Sequence, residues 1–217
     1  MSSKIKILVT TAVTQEKEAV LRGLKKNNKF DVIETGVGPV SAAISTTKML
    51  ATANYDLVVS TGIAGGFYDK AEVGSLVVAD KIISADLGVE TPEGFCSLDE
   101  LALGCTNIEA DVSLIEQVKE KLLATDISFT IGPVLTVSTV TGTTDSAAKL
   151  AARVPRATAE AMEGFGVALA AKSHNLPVLE VRAISNIVGP RDRAAWRVNE
   201  ALEVLETAWT VLSEVLS

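Results

Sequence analysis

The chain has 217 residues, of which 47% are apolar but only 4% aromatic, and a formal net charge of −7. That length suits one domain, and a core of Ala, Val, Leu and Ile suits an α/β fold with a mostly parallel sheet between helices. The acidic balance, with Lys and Arg scattered, argues against a nucleic-acid partner, and the first apolar run is too short for a signal core or a membrane span, so a cytoplasmic protein with no membrane association is expected.

Residues 4–11 read as a first strand and 15–26 as a helix, with Ala19, Val20 and Leu24 at helical spacing. A second strand over 30–35 ends at Gly36-Val37-Gly38-Pro39, a turn that opens a helix over 40–52. A third strand over 55–60 ends in a small-residue turn, Thr61-Gly62-Ile63-Ala64-Gly65-Gly66. A β-rich run over 72–84 precedes a looser polar segment over 86–107. Then come an amphipathic helix over 111–123, a strand over 128–138, a short helix over 145–153, an apolar helix over 164–173, a strand over 177–187 and a closing helix over 194–216. Cys96 and Cys105 stand apart from any histidine cluster and His174 is the only histidine, so idle thiols and no metal site are expected. No cofactor is expected either.

Ligands of open α/β sheets bind beyond the carboxyl ends of the strands, where both glycine turns lie. Gly36-Val37-Gly38-Pro39-Val40-Ser41 stops short of a dinucleotide fingerprint, because Ser41 stands where the third glycine belongs. Taken alone, either turn is better explained by tight strand-to-helix packing. Three polar residues stand among small or apolar neighbours at the same end of the sheet: Glu16, Glu163 and Asn186. They form a candidate site, although a Glu in a first helical turn also answers the helix dipole and an Asn ending a strand also forms turns.

Thr61 to Gly66, with Val73-Gly74-Ser75-Leu76-Val77-Val78-Ala79-Asp80 after it, resembles the nucleoside phosphorylase and nucleosidase superfamily. Ala161-Met162-Glu163-Gly164 resembles its ribose-binding stretch, and Val181-Arg182-Ala183-Ile184-Ser185-Asn186 its purine-binding strand. Within it, Ser185 to Trp196 and Val137 to Thr143 look like the futalosine hydrolases of an alternative menaquinone route. The resemblance implies a mixed sheet flanked by helices, and a homo-oligomer in which a neighbour completes the pocket. Residues 86–95 are the segment expected to reach that neighbour, since they are loop-like yet carry Leu87, Val89 and Phe95.

Carried over by resemblance, Glu16 activates the water, Glu163 holds the ribose hydroxyls and Met162 packs beside the sugar. Ala64 and Gly65 lie at the base, and Trp196 caps the 5′ end of the substrate. Futalosine carries a carboxylate on its 5′ side, for which Arg191 and Arg193 are candidates. Two departures stand out: Ile63 occupies the place of a Ser near the water, and Asn186 that of an Asp that protonates adenine. An amide both donates and accepts, which suits a 6-oxopurine and points to hypoxanthine as leaving base. The expected activity is therefore hydrolysis of a purine nucleoside, futalosine first. Hydrolysis of methylthioadenosine or S-adenosylhomocysteine is the alternative, followed by non-catalytic nucleoside binding.

Overall fold

The structure, a computed structural model, describes residues 5–216; Lys4, the first residue of the predicted first strand, lies outside them. The elements run β1 (Ile7–Thr11), α1 (Thr14–Leu24), β2 (Phe30–Glu34), α2 (Pro39–Leu50), β3 (Leu57–Gly66) and β4 (Leu76–Ser84). A hairpin, β5 (Gly88–Thr91) and β6 (Gly94–Ser97), is followed by β7 (Asn107–Glu109), α3 (Val112–Leu122), β8 (Phe129–Thr136) and α4 (Thr144–Arg153). The chain continues through β9 (Ala159–Ala161), α5 (Gly164–Ser173), β10 (Val178–Ile187) and α6 (Val198–Val215). No helix among the described residues is long and apolar enough to cross a membrane.

The central sheet is mixed. Strands lie in the order β2-β1-β3-β10-β4-β8-β9, β9 bridges β8 back to β3, and β7 pairs with β4. Pairings of β1 with β2 and β3, of β3 with β10 and of β8 with β4 and β9 are parallel; β10–β4, β3–β9 and β4–β7 are antiparallel. Alternation along β1 shows why the sheet is covered twice: Ile7 and Val9 join one core, Leu8 the other, and all three are fully buried. The first core is closed by α1, α3 and α6 through Val20, Val118, Leu205 and Trp209, the second by α2 and α5 through Ala42, Phe165 and Ala168. Gly23 lets α1 and α6 approach closely, since a Cβ there would sit 2.7 Å from Cβ of Trp209.

Four stretches depart from the sequence reading. The expected turn at 61–66 is strand, because β10 pairs it on one edge as far as Gly66 and β9 pairs Gly65 and Gly66 on the other. Its glycines serve close approach instead of reversal: a Cβ at Gly66 would run into the carbonyl of Ala71. β9 was too short to show a period. Within 86–107, residues expected as loop form the β5–β6 hairpin, and the Phe95 ring packs 3.6 Å from the Arg153 guanidinium of the same chain. The last helix begins at Val198 and not at 194, because Asp192 Oδ1 accepts from Ala194 N at 3.0 Å and closes a short 3₁₀ turn, Arg193–Ala195. Arg197 N then donates to Ser185 O at 2.8 Å, tying this segment to β10.

Candidate active site

At the carboxyl ends of β1, β3 and β10 opens a pocket of about 300 Å³, and Glu16, Ala64, Gly65, Met162, Glu163, Asn186 and Trp196 all line it. Residues 170 positions apart in sequence thus share one cavity. A larger cleft, about 780 Å³, lies between the β5–β6 hairpin and α4 and contains none of them.

Glu16 stands in the first turn of α1 and is buried. Its Oε2 accepts from the amides of Ala12 at 2.9 Å and Val13 at 3.3 Å, so it does cap its own helix. Its Oε1 turns inward and accepts from Ile63 N at 2.9 Å. The backbone of Ile63 therefore fixes this carboxylate where its side chain offers nothing polar. Three amides occupy three of the roughly four acceptor positions of an ionised carboxylate, leaving one toward the pocket. Burial pushes its pKa up, opposed by Arg182 and the amides of Ile63 and Ala12; Glu163 adds to the rise. Glu18, two residues on, is exposed on another face of the helix.

Glu163 sits at the start of α5. Its Oε1 accepts from Gly38 N at 3.1 Å, so the first glycine turn, with φ of +80° at Gly36 and +95° at Gly38, aims an amide at this carboxylate and not at a phosphate. Its Oε2 accepts from Met162 N at 3.3 Å and lies 3.4 Å from Arg182 Nη1.

Sequence reasoning passed over Arg182, which is 1% exposed and central to the site. Its Nε donates to Glu180 Oε1 at 2.9 Å and its Nη2 to Ser60 Oγ at 3.1 Å. Burial alone would pull its pKa down, but the carboxylates of Glu180, Glu163 and Glu16 raise it. Burial raises that of Glu180 as well, against Arg182. Gly62 makes the arrangement possible: a Cβ there would lie 2.5 Å from Glu16 Oε1 and 2.9 Å from Arg182 Nη1. One signal was available. Glu180 and Arg182 are two apart in an apolar strand, hence on one buried face, and charges there must pair.

A bulge sets Asn186. The β3–β10 register slips between Ile184 and Asn186, so Asn186 and not Ser185 lies opposite Gly65. Its Oδ1 accepts from Ser185 Oγ at 2.9 Å and its Nδ2 donates to Ile187 O at 3.1 Å. Glu160, on β9, also lines the pocket and was likewise passed over. Arg191 and Arg193 are exposed and do not line it; the Arg191 guanidinium stands 5.2 Å from the ring centre of Trp196, which does.

One guanidinium faces three carboxylates here, so the site carries a surplus of negative charge whenever more than one of them is ionised. Such a site favours a sugar that becomes cationic and disfavours an incoming phosphate dianion.

The phosphorylase superfamily matches residues 5–217. A futalosine hydrolase of Streptomyces coelicolor is 47% identical, over 97% of this chain and 96% of the relative. One of Acidothermus cellulolyticus is 41% identical, over 96% and 90%. The native structure of futalosine hydrolase of Helicobacter pylori superposes with a TM-score of 0.83 over 100% of this chain and 98% of that one; at 19% identity it speaks to the fold alone.

Proposed function

We propose, from the premise that this chain belongs to the phosphorylase superfamily and within it to the futalosine hydrolase family, that it hydrolyses the N-glycosidic bond of futalosine and releases hypoxanthine. The observation that carries the reading is the pocket itself, which Glu16, Glu163 and Asn186 line together, with Arg182 paired to Glu163 behind its wall.

Breaking a ribosyl C–N bond builds positive charge on the sugar and sends an electron pair to the purine. Glu163, held by Gly38 and Met162 on its other sides, accepts from the ribose hydroxyls and stabilises the cationic sugar. Glu16, pinned by three amides, uses its remaining acceptor position to take a proton from the attacking water. Asn186 donates to O6 of the departing base and accepts from N7–H once solvent has protonated N7; Glu16 returns the proton taken from water to solvent, so the step balances as water added across the C–N bond. Met162 packs against the sugar, Ala64 and Gly65 leave the base a flat floor, and Trp196 closes the 5′ end. Arg191, stacked near Trp196, is the better placed of the two arginines to meet a 5′ carboxylate.

Incubating the protein with futalosine, inosine and methylthioadenosine and separating the free bases tests the reading. Hypoxanthine from futalosine is expected in excess of adenine from methylthioadenosine; the reverse order would establish an adenine-releasing nucleosidase instead.

Asn186→Asp is expected to lower the ratio of hypoxanthine to adenine release, in kcat/KM from inosine and adenosine, by about tenfold or more. A carboxylate has no proton for O6 but accepts from the adenine amine, and the unchanged pocket prevents full reversal. An unaltered ratio would show that Asn186 does not read the base.

We also propose a cytoplasmic homo-oligomer. Val37, which lines the pocket, and Val40 and Ile44, on α2, are each at least half exposed, apolar surface that a second copy would cover. Light scattering at micromolar concentration checks this, and a monomer rules it out.

A further inference from the structure

Gly65 has a partner on each side in the sheet: Asn186 across β10 and Glu160 across β9. Residues paired directly across neighbouring strands present their side chains to one face, and both of these line the pocket. At about 4.8 Å per strand step, their backbones stand ~10 Å apart, with only a glycine between. A Cβ at Gly65 would come within 3.2 Å of Asn186 Nδ2 and 3.0 Å of Val188 Cγ2, so this floor is kept bare. The gap suits one flat ring lying between an amide and a carboxylate.

Thr141 holds Glu160 in place. Its backbone N–H donates to Oε1 at 2.9 Å and its hydroxyl donates to Oε2. Those bonds use two of roughly four acceptor positions. Among the described residues no Lys or Arg forms an ion pair with Glu160, which is 6% exposed. Burial pushes its pKa up, the two Thr141 bonds oppose this and Asp86 adds to it. A buried carboxylate with neutral donors behind it and spare acceptor positions before it is matched by a donor on the ligand.

Hypoxanthine carries such a donor. Its N1 bears a hydrogen next to O6, whereas N1 of adenine is a bare lone pair. We infer that Glu160 accepts a hydrogen bond from N1–H of a 6-oxopurine, gripping the base opposite Asn186 and excluding adenine by setting acceptor against acceptor. This assignment rests on the proposed class of leaving base. It makes selectivity the joint property of two residues on strands flanking β3, and it gives Thr141 a positioning role.

Calorimetric binding of free bases tests it. Wild type is expected to bind hypoxanthine at least a hundredfold more tightly than adenine. Glu160→Gln, whose amide offers a donor as well as an acceptor, should narrow that ratio by about tenfold or more. The 1-methyl derivative of hypoxanthine, lacking the N1 hydrogen, should bind wild type at least tenfold more weakly than hypoxanthine, and Glu160→Ala should remove that penalty. Equal binding of hypoxanthine and its 1-methyl derivative by wild type overturns the inference with no variant required to fold; so does a ratio that Glu160→Gln leaves unchanged. A protein that keeps the base preference yet cleaves no futalosine would sink the proposed substrate while supporting the role of Glu160.

Discussion

Replacing Glu16 by glutamine is expected to lower kcat by about 10²–10⁴-fold, the usual worth of a positioned general base, with nucleoside affinity changed far less. The geometry adds a second consequence. All three partners of the carboxylate are backbone N–H groups, and the new amide nitrogen must face at least one of them without accepting. The variant should therefore also lose about 1–3 kcal/mol of stability, the cost of an unsatisfied buried donor. The pH profile separates base chemistry from this damage. Burial raises the pKa of Glu16, so the wild-type acid limb of kcat/KM should lie above the ordinary glutamate value of 4.5, with activity rising as the proton leaves. In Glu16→Gln that limb should vanish from the residual rate. Near-normal turnover, or a limb that persists unchanged, would remove Glu16 from its role.

Arg182→Met should damage the fold more than any surface change. The substitution keeps much of the length and removes the one cation shared by Glu180, Glu163 and Glu16. Stranding buried charge in this way costs about 3–5 kcal/mol. The loss should depend on pH with a definite sign. Glu180 and Glu16 already have raised pKa values, and losing Arg182 removes an influence that lowers both. Their neutral forms are the ones the folded interior tolerates, so stability is kept below the unfolded glutamate range and lost as pH rises through the folded values. Urea unfolding at pH 5 and pH 8 should show a larger deficit at pH 8. A deficit under about 1 kcal/mol at pH 8, or one equal at both, would mean that the cluster is not held by this guanidinium.

Much of this architecture was legible because strand and helix periods alternate cleanly from Ile7 to Trp209. Glu16, Glu163 and Asn186 were visible because each interrupts a small or apolar stretch at the same end of the sheet. What stayed hidden depends on lateral neighbours. Glycines at 62, 65 and 66 look like a turn until β10 and β9 are known to flank them. The slip after Ile184 that aims Asn186 has no marker in its own strand, and β9, which carries Glu160, is three residues long. Arg191 and Arg193 were chosen by charge; neither lines the cavity, and Arg191 stands 5.2 Å from the ring of Trp196, which does.

The position of β3, between β1 from early in the chain and β10 from late in it, has a consequence for synthesis. Glu16 leaves the ribosome first, and at ~5–20 residues per second Asn186 follows roughly 10–30 s later. Until then β3 lacks one edge, and until Trp209 arrives its indole N–H cannot reach the Thr61 hydroxyl, a bond of 3.2 Å. A nascent chain can pair β1 with β2 and β3, but Glu16 then has neither Arg182 nor Glu163 beside it. Activity should therefore appear in a single late step, and a translating ribosome stalled anywhere before β10 should display folded segments and no turnover.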